Sequence, residues 1–243
     1  MPDINLNSLC VENVEDCLPL RSIPSAIRKR DHRRQALTVG GTTVVFDNLA
    51  GELVKEIHKW PAVVGCVAWL TNEDILTALA SRDYVSFVIQ KEDWLRPDSG
   101  RYTAQRLNQL YSALPSSERF AMGCGELSYG GDQTLDAVRV AGIANTTRAP
   151  AAPRMHHKFL VFGNMLERDT EYVGDPGKFD PQVAWTGSFN LTHNGTQSLE
   201  NALIIRDKTI ANLFHQEWRV VVSLSEPLNW ESEWVAPEFR IGS

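Results

Sequence analysis

Residues 155–162 read Met155-His156-His157-Lys158-Phe159-Leu160-Val161-Phe162. The apolar second half predicts a strand, in which side chains alternate between faces. His156 and Lys158 then share one face, roughly 6–7 Å apart along the chain, and His157 points the other way. A neutral imidazole can act as a nucleophile or proton donor. A neighbouring ammonium neutralises an anionic substrate and the charge that develops on it. By itself a three-residue pattern describes a core-packed histidine equally well. Its meaning depends on what surrounds it.

Upstream, Thr43-Val44-Val45-Phe46 is a short β-prone run, and Asp47 or Asn48 offers a helix cap. Leu49, Leu53, Val54, Ile57 and Trp60 then recur at helical spacing until Pro61. Ala62 to Leu70 is apolar on both faces and predicts a buried strand. Thr71 and Asp74 form a capping-box pattern before Ile75, Leu76 and Leu79. Tyr84 to Gln90 predicts a third strand, and Arg101 to Leu114 an amphipathic helix that ends before Pro115. Three strands alternating with helices imply an α/β fold with a mostly parallel sheet.

Residues 115–154 are rich in Gly and Pro and predict mostly loop with some strand, with Glu126 and Tyr129 as substrate contacts near a cleft. Downstream of the His-Lys stretch, Leu166 to Gln182 predicts an extended connection. Val183 to Thr186 and Ala202 to Ile205 predict strands. Ile210, Leu213, Phe214 and Trp218 mark a helix face.

Two further elements carry chemistry. Gly187-Ser188-Phe189-Asn190 follows the predicted strand 183–186. Ser188 and Asn190 project to one side, and a hydroxyl and a carboxamide suit phosphate oxygens. Gly187 allows a close backbone approach. The same residues also suit an ordinary turn with a helix cap. Glu200-Asn201 then precedes the apolar run 202–205. Glu200 is either an exposed acidic cap or the acceptor that fixes the tautomer of His156.

Taken together, the three elements resemble the phospholipase D superfamily, whose signature pairs His-x-Lys-x4-Asp with Gly-Ser-x-Asn. His156 and Lys158 match the first half, Gly187, Ser188 and Asn190 the second, and Glu200 follows. The resemblance covers roughly residues 43 to 220. It implies a phospholipase D-like domain over residues 41–243, with a central, mostly parallel mixed sheet flanked by helices on both faces. Residues 1–40 form an N-terminal extension or arm. Such enzymes cleave phosphodiesters without metal or other cofactor, through a phosphohistidine, using two His-Lys sets about a pseudo-twofold axis. One set is present here, which implies a homodimer sharing one active site. Single-set members resemble endonucleases acting on DNA or RNA. The alternatives are a phospholipid hydrolase or phosphatidyltransferase of cardiolipin type, and a non-catalytic phosphate-binding module. Two departures stand out. The signature Asp falls at Gly163, where either Asn164 or another acid takes over or the role is absent, and the 166–182 connection is long.

Composition narrows the function classes. The chain has 243 residues, 43% hydrophobic and 22% charged, which fits one domain with appendages. A net charge of -6 argues against bulk electrostatic attraction to DNA or anionic membrane but permits a local basic cleft. Arg28 to Arg34, Arg101, Arg106, Arg148 and Arg154 are candidates to line one, with Arg154 contacting substrate. Trp69, Trp94, Tyr102, Tyr129 and Trp185 are candidates to stack on bases. The four cysteines lack metal-ligand spacing, and no run is long enough to span a membrane. With no signal-peptide layout, a cytoplasmic location without stable membrane anchoring is expected.

Overall fold

The computed structural model describes residues 37–96, 102–115, 127–128, 137–144, 153–166, 178–237 and 240–241. The first half runs β1 (Leu37–Val39), β2 (Thr42–Val45), α1 (Leu49–Ile57), β3 (Ala62–Val67), α2 (Glu73–Ala80), β4 (Tyr84–Gln90) and α3 (Tyr102–Ser112). The second half adds β5 (Leu127–Ser128), β6 (Val138–Ala141), β7 (Lys158–Leu166) and β8 (Lys178–Gly187). A short helix α4 (His193–Gln197), β9 (Ala202–Ile205), the long helix α5 (Lys208–Ser223), β10 (Glu226–Pro227) and β11 (Arg240–Ile241) follow. The sheet starts at Leu37, inside the 1–40 segment. The basic run Arg28 to Arg34 lies outside the described residues.

One nine-stranded sheet runs β1-β2-β9-β8-β7-β3-β4-β6-β10, and β5 pairs separately with β11. The α/β class and the mixed sheet agree with the sequence. The expectation of mostly parallel pairing does not: only β3–β4 and β4–β6 are parallel, and the other neighbours are antiparallel. The reason is connectivity. Helical crossovers through α2 and α3 return the chain in the same direction. The long strands β7 and β8 follow each other as direct antiparallel neighbours, as do β8 and β9.

Strand alternation distributes side chains to two cores. Val63 and Val67 of β3 and Leu160 and Phe162 of β7 join α1, α2 and α3 on one face through Leu53, Ile57, Ile75, Leu79 and Leu107. Val64, Cys66, Phe159 and Val161 meet Ala211, Trp218 and Val222 of α5 on the other. Each large aliphatic or aromatic side chain buried this way contributes about 1.5–3 kcal/mol. The face of α5 differs from the expected one. Trp218 is buried, but Leu213 is 60% exposed, and the buried line instead runs through Ala211, Trp218, Val221 and Val222. The cap of α2 also moves by one residue. Asn72, not Thr71, accepts from the Ile75 N–H at 3.1 Å.

The connection expected over Leu166 to Gln182 is partly strand, since β8 begins at Lys178. The β7–β8 register shifts between Phe162 and Gly163, where Gly163 lies opposite Pro181. A Cβ on Gly163 would sit 2.3 Å from the Asp180 carbonyl oxygen. The position at which the signature carries Asp is therefore closed by the neighbouring strand. Asn164 pairs in register with Asp180, whose carboxylate lies 2.6 Å from Lys208 Nζ. Gly163 is five residues along β7 from Lys158, roughly 16 Å away, so the closed position lies away from the histidine–lysine pair.

Candidate active site

Several central strands end at one level. Val67 pairs with Lys158, Phe159 with Thr186 and Gly187 with Ala202. This edge is also the carboxyl end of the parallel strands β3, β4 and β6, where open α/β sheets place their sites. The segments beyond the strand ends are bound together. Leu191 N–H donates to Trp69 O at 3.1 Å, and the N–H groups of Thr71 and Asn72 both donate to Leu191 O. The loop after β3 and the loop after β8 thus form one rigid platform.

His156 lies just before β7. Its backbone neighbours hold it there: Met155 N–H donates to Gln90 Oε1 at 2.8 Å, and Ala68 N–H to His157 O at 2.9 Å. The alternation expected of a strand persists in the side chains. Lys158 Nζ lies 3.3 Å from both ring nitrogens of His156 and donates to the His156 carbonyl at 3.1 Å. His157 turns the other way, with Nε2 3.1 Å from Glu217 of α5. Partial burial, then the charges of Lys158, Arg154 and His157, hold the His156 pKa below its ordinary value. Burial likewise lowers the pKa of Lys158, and Glu200 opposes that shift. Both shifts favour the neutral form of the group concerned.

Ser188 Oγ accepts from Asn201 N–H at 3.1 Å and from Asn201 Nδ2 at 3.3 Å, and its own N–H donates to Asn201 O. These bonds use the lone pairs of the hydroxyl and leave its proton for an acceptor such as a phosphate oxygen. Gly187 has no room for a side chain because a Cβ would lie 2.1 Å from Asn201 O. The close approach it permits is that of the neighbouring strand. Asn190 Oδ1 is buried without a hydrogen-bond partner. Glu200 stands where its charge acts on Lys158. Among the described residues, Lys158 rather than Glu200 is the hydrogen-bond partner of the His156 ring.

Two cavities flank this centre. One, of about 450 Å³, is lined by Trp69, Trp94, Asn190, Thr192, His193 and Glu200, among others. Trp69 meets the His156 ring edge-on, with centroids 6.1 Å apart, and its indole N–H donates to Glu92 at 3.0 Å. The other cavity, of about 770 Å³, holds Arg154, His156 and His157 against Met155, Val221 and Leu224. Arg154 NH1 is 3.8 Å from Glu92.

The structure brings His156, Lys158, Ser188, Asn190, Glu200, Gly187 and Arg154 to one edge of the sheet. Glu126, Tyr129, Arg101 and Arg148 lie outside the described residues. Trp185 is 1% exposed and belongs to the core, not to a stacking surface. The sequence reading missed Gln90 and Glu92. Their signal was a polar run, Gln90-Lys91-Glu92-Asp93, at the end of a buried apolar strand. Gln90, Lys91 and Glu92 are buried, and buried polar groups need partners. Lys91 pairs with Glu226 and donates to the carbonyls of Ser232 and Trp234, clamping the segment after β10 to the end of β4.

A family model described as "Cardiolipin synthase, PLD-like domain" matches residues 125–220, which contain both signature halves. The chain belongs to the phospholipase D superfamily. It is 31% identical over 205 residues to the uncharacterized protein L381 of Acanthamoeba polyphaga mimivirus, covering 77% of this chain and 67% of that one. Among solved structures, this superfamily member is similar to NucT from Helicobacter pylori. The TM-score is 0.48 and the identity 11%, over 76% of this chain and 96% of that one. It is also similar to Nuc from Salmonella typhimurium, a phospholipase D family member, with TM-score 0.43 and 17% identity over 76% and 97% of the two chains.

Proposed function

We propose that this superfamily member is a metal-independent phosphodiesterase. It works through a phosphohistidine at a homodimer interface, and its substrate is nucleic acid. The contact between Lys158 and His156 carries this reading. A neutral imidazole has one lone pair, and an ammonium 3.3 Å from both ring nitrogens caps it. An incoming diester competes for the same ammonium. When Lys158 turns to the phosphate, the His156 nitrogen is released for attack on phosphorus. The P–N bond forms as the bond to the leaving oxygen breaks. The partner's imidazole, charged by the bound anion, gives its proton to that oxygen. The same imidazole then takes a proton from water, whose oxygen attacks phosphorus and breaks the P–N bond. The Ser188 hydroxyl and Asn190 amide hold the phosphate oxygens throughout.

In this reading the second acid–base group comes from another copy. Lys59, beside His58, is paired with Glu56 at 2.7 Å, so it forms no equivalent of the Lys158–His156 contact. The charges of Arg154 and Lys158, both felt at His156, support an anionic substrate over a neutral one.

Incubation with plasmid DNA, single-stranded DNA and RNA in excess EDTA tests this reading, alongside His156→Ala and a light-scattering mass. Cleavage by the wild-type dimer but not the variant is expected. A fully active monomer would overturn the shared site. One observation favours a second reading: the 770 Å³ cavity at His156 is largely apolar, with Met155, Val221 and Leu224 in its wall. A diester with an acyl tail fits such a cavity. Hydrolysis of cardiolipin vesicles without nucleic-acid cleavage would establish that reading instead.

A further inference from the structure

We infer that the cavity between the loop after β3 and the loop after β8 is a nucleobase-binding subsite, with Trp69 and Trp94 as its aromatic walls. This inference rests on the nuclease reading above and names the part of the substrate that gives it specificity. Four observations converge. First, the cavity adjoins the reacting centre. Trp69 lines it and packs edge-on against His156, and Glu200 lines it while acting electrostatically on Lys158. A group seated there is one linkage from a phosphate held by Lys158.

Second, its volume of about 450 Å³ falls within the range of small-molecule sites and accepts a base with its sugar. Third, the two indoles are supported for a flat ligand. The Trp69 indole N–H is fixed by Glu92, and Trp94 rises from the 3₁₀ turn Asp93–Leu95 that follows Glu92. Every base offers a π-face, and each base–aromatic stack is worth about ten-fold or more in affinity. Fourth, the remaining wall can read a base edge. It carries the side chains of Asn190, Thr192, His193, Asn194 and Ser198, and Asn190 Oδ1 is buried without a donor. An exocyclic amine or imino N–H supplies that donor. A quaternary ammonium headgroup would use the indoles but leave this acceptor unsatisfied, and the cavity's carboxylate, Glu200, already faces Lys158.

Isothermal titration of the full chain with thymidine 5′-monophosphate, deoxyribose 5-phosphate and choline phosphate tests the inference, with abasic oligonucleotides as the kinetic arm. Thymidine monophosphate should bind at least about ten-fold more tightly than the base-free sugar phosphate. Trp94→Ala should remove that difference, and a denaturant melt matching wild type checks that the variant is folded. Trp94→Phe should retain part of the preference. Removing the base next to the cut should lower kcat/KM by a similar factor in wild type only. Equal affinities, no measurable nucleotide binding, or tighter choline phosphate binding overturns the subsite. Cleavage without base dependence leaves the nuclease reading standing and removes the subsite. Nucleotide preference without cleavage does the reverse.

Discussion

Lys158 Nζ stands 3.3 Å from each ring nitrogen of His156, so the two groups cannot both be charged without strong repulsion. The imidazole gives way first because burial and the cations of Lys158 and Arg154 all disfavour its charged form.

His156 should therefore titrate below the ordinary histidine value of about 6.5. The acid limb of activity should lie below that pH as well. The unfolded chain takes up this proton near pH 6.5 and the folded chain only at lower pH, so this site costs stability as pH falls through that interval. Lys158→Met should raise the His156 pKa toward 6.5 by NMR titration. An unchanged value in the variant would contradict the assigned cause.

Lys158 should lose its proton below the ordinary lysine value of about 10.4, which places an alkaline limb on activity. Glu200 opposes that shift. In Glu200→Gln the alkaline limb should move to lower pH while the acid limb stays. If Glu200 instead held the His156 tautomer, the acid limb would move.

Gly163 should resist restoration of the superfamily's acidic residue. A side chain there meets the Asp180 carbonyl at 2.3 Å, and the backbone must shift to relieve the contact. Gly163→Ala should destabilise the fold by about 1–3 kcal/mol, and Gly163→Asp by more, since a carboxylate would be buried as well. Denaturant melts measure this, and a neutral Gly163→Asp would show that the strand pair is looser than described.

The buried Lys91–Glu226 pair should behave asymmetrically. Its side chains are 0% and 5% exposed. Lys91→Ala strands a buried carboxylate and should cost about 3–5 kcal/mol, whereas Lys91→Met combined with Glu226→Leu should cost less. Additive losses in the double variant would show that the two charges do not depend on each other.

Much of this architecture is legible in local sequence. The apolar runs at 62–70 and 84–90 become β3 and β4, since a strand buried on both faces needs no polar alternation. The His-x-Lys spacing places both side chains together because backbone alternation continues past the end of the regular strand. Other features depended on distant partners. Lys178 to Gln182 reads as connection because Pro181 lacks an N–H, yet a bulge opposite Gly163 accommodates it. Leu213 reads as core by its spacing on α5 and is exposed, because the sheet meets the adjacent line of side chains.

Residue chemistry and short-range spacing indicated the α/β class and the histidine–lysine pair, because those properties are local to the backbone, and it was the resemblance of the motifs that pointed to the superfamily. Long-range packing selected the antiparallel neighbours of β7 and β8, the closure of position 163, and the meeting of Glu92, Trp69 and His156. These three residues are far apart in the chain, and no periodicity links them. The polar run 90–92 acquires its role when the chain brings Met155, Trp69 and Glu226 to the end of β4, where each buried polar group finds the partner its desolvation demands.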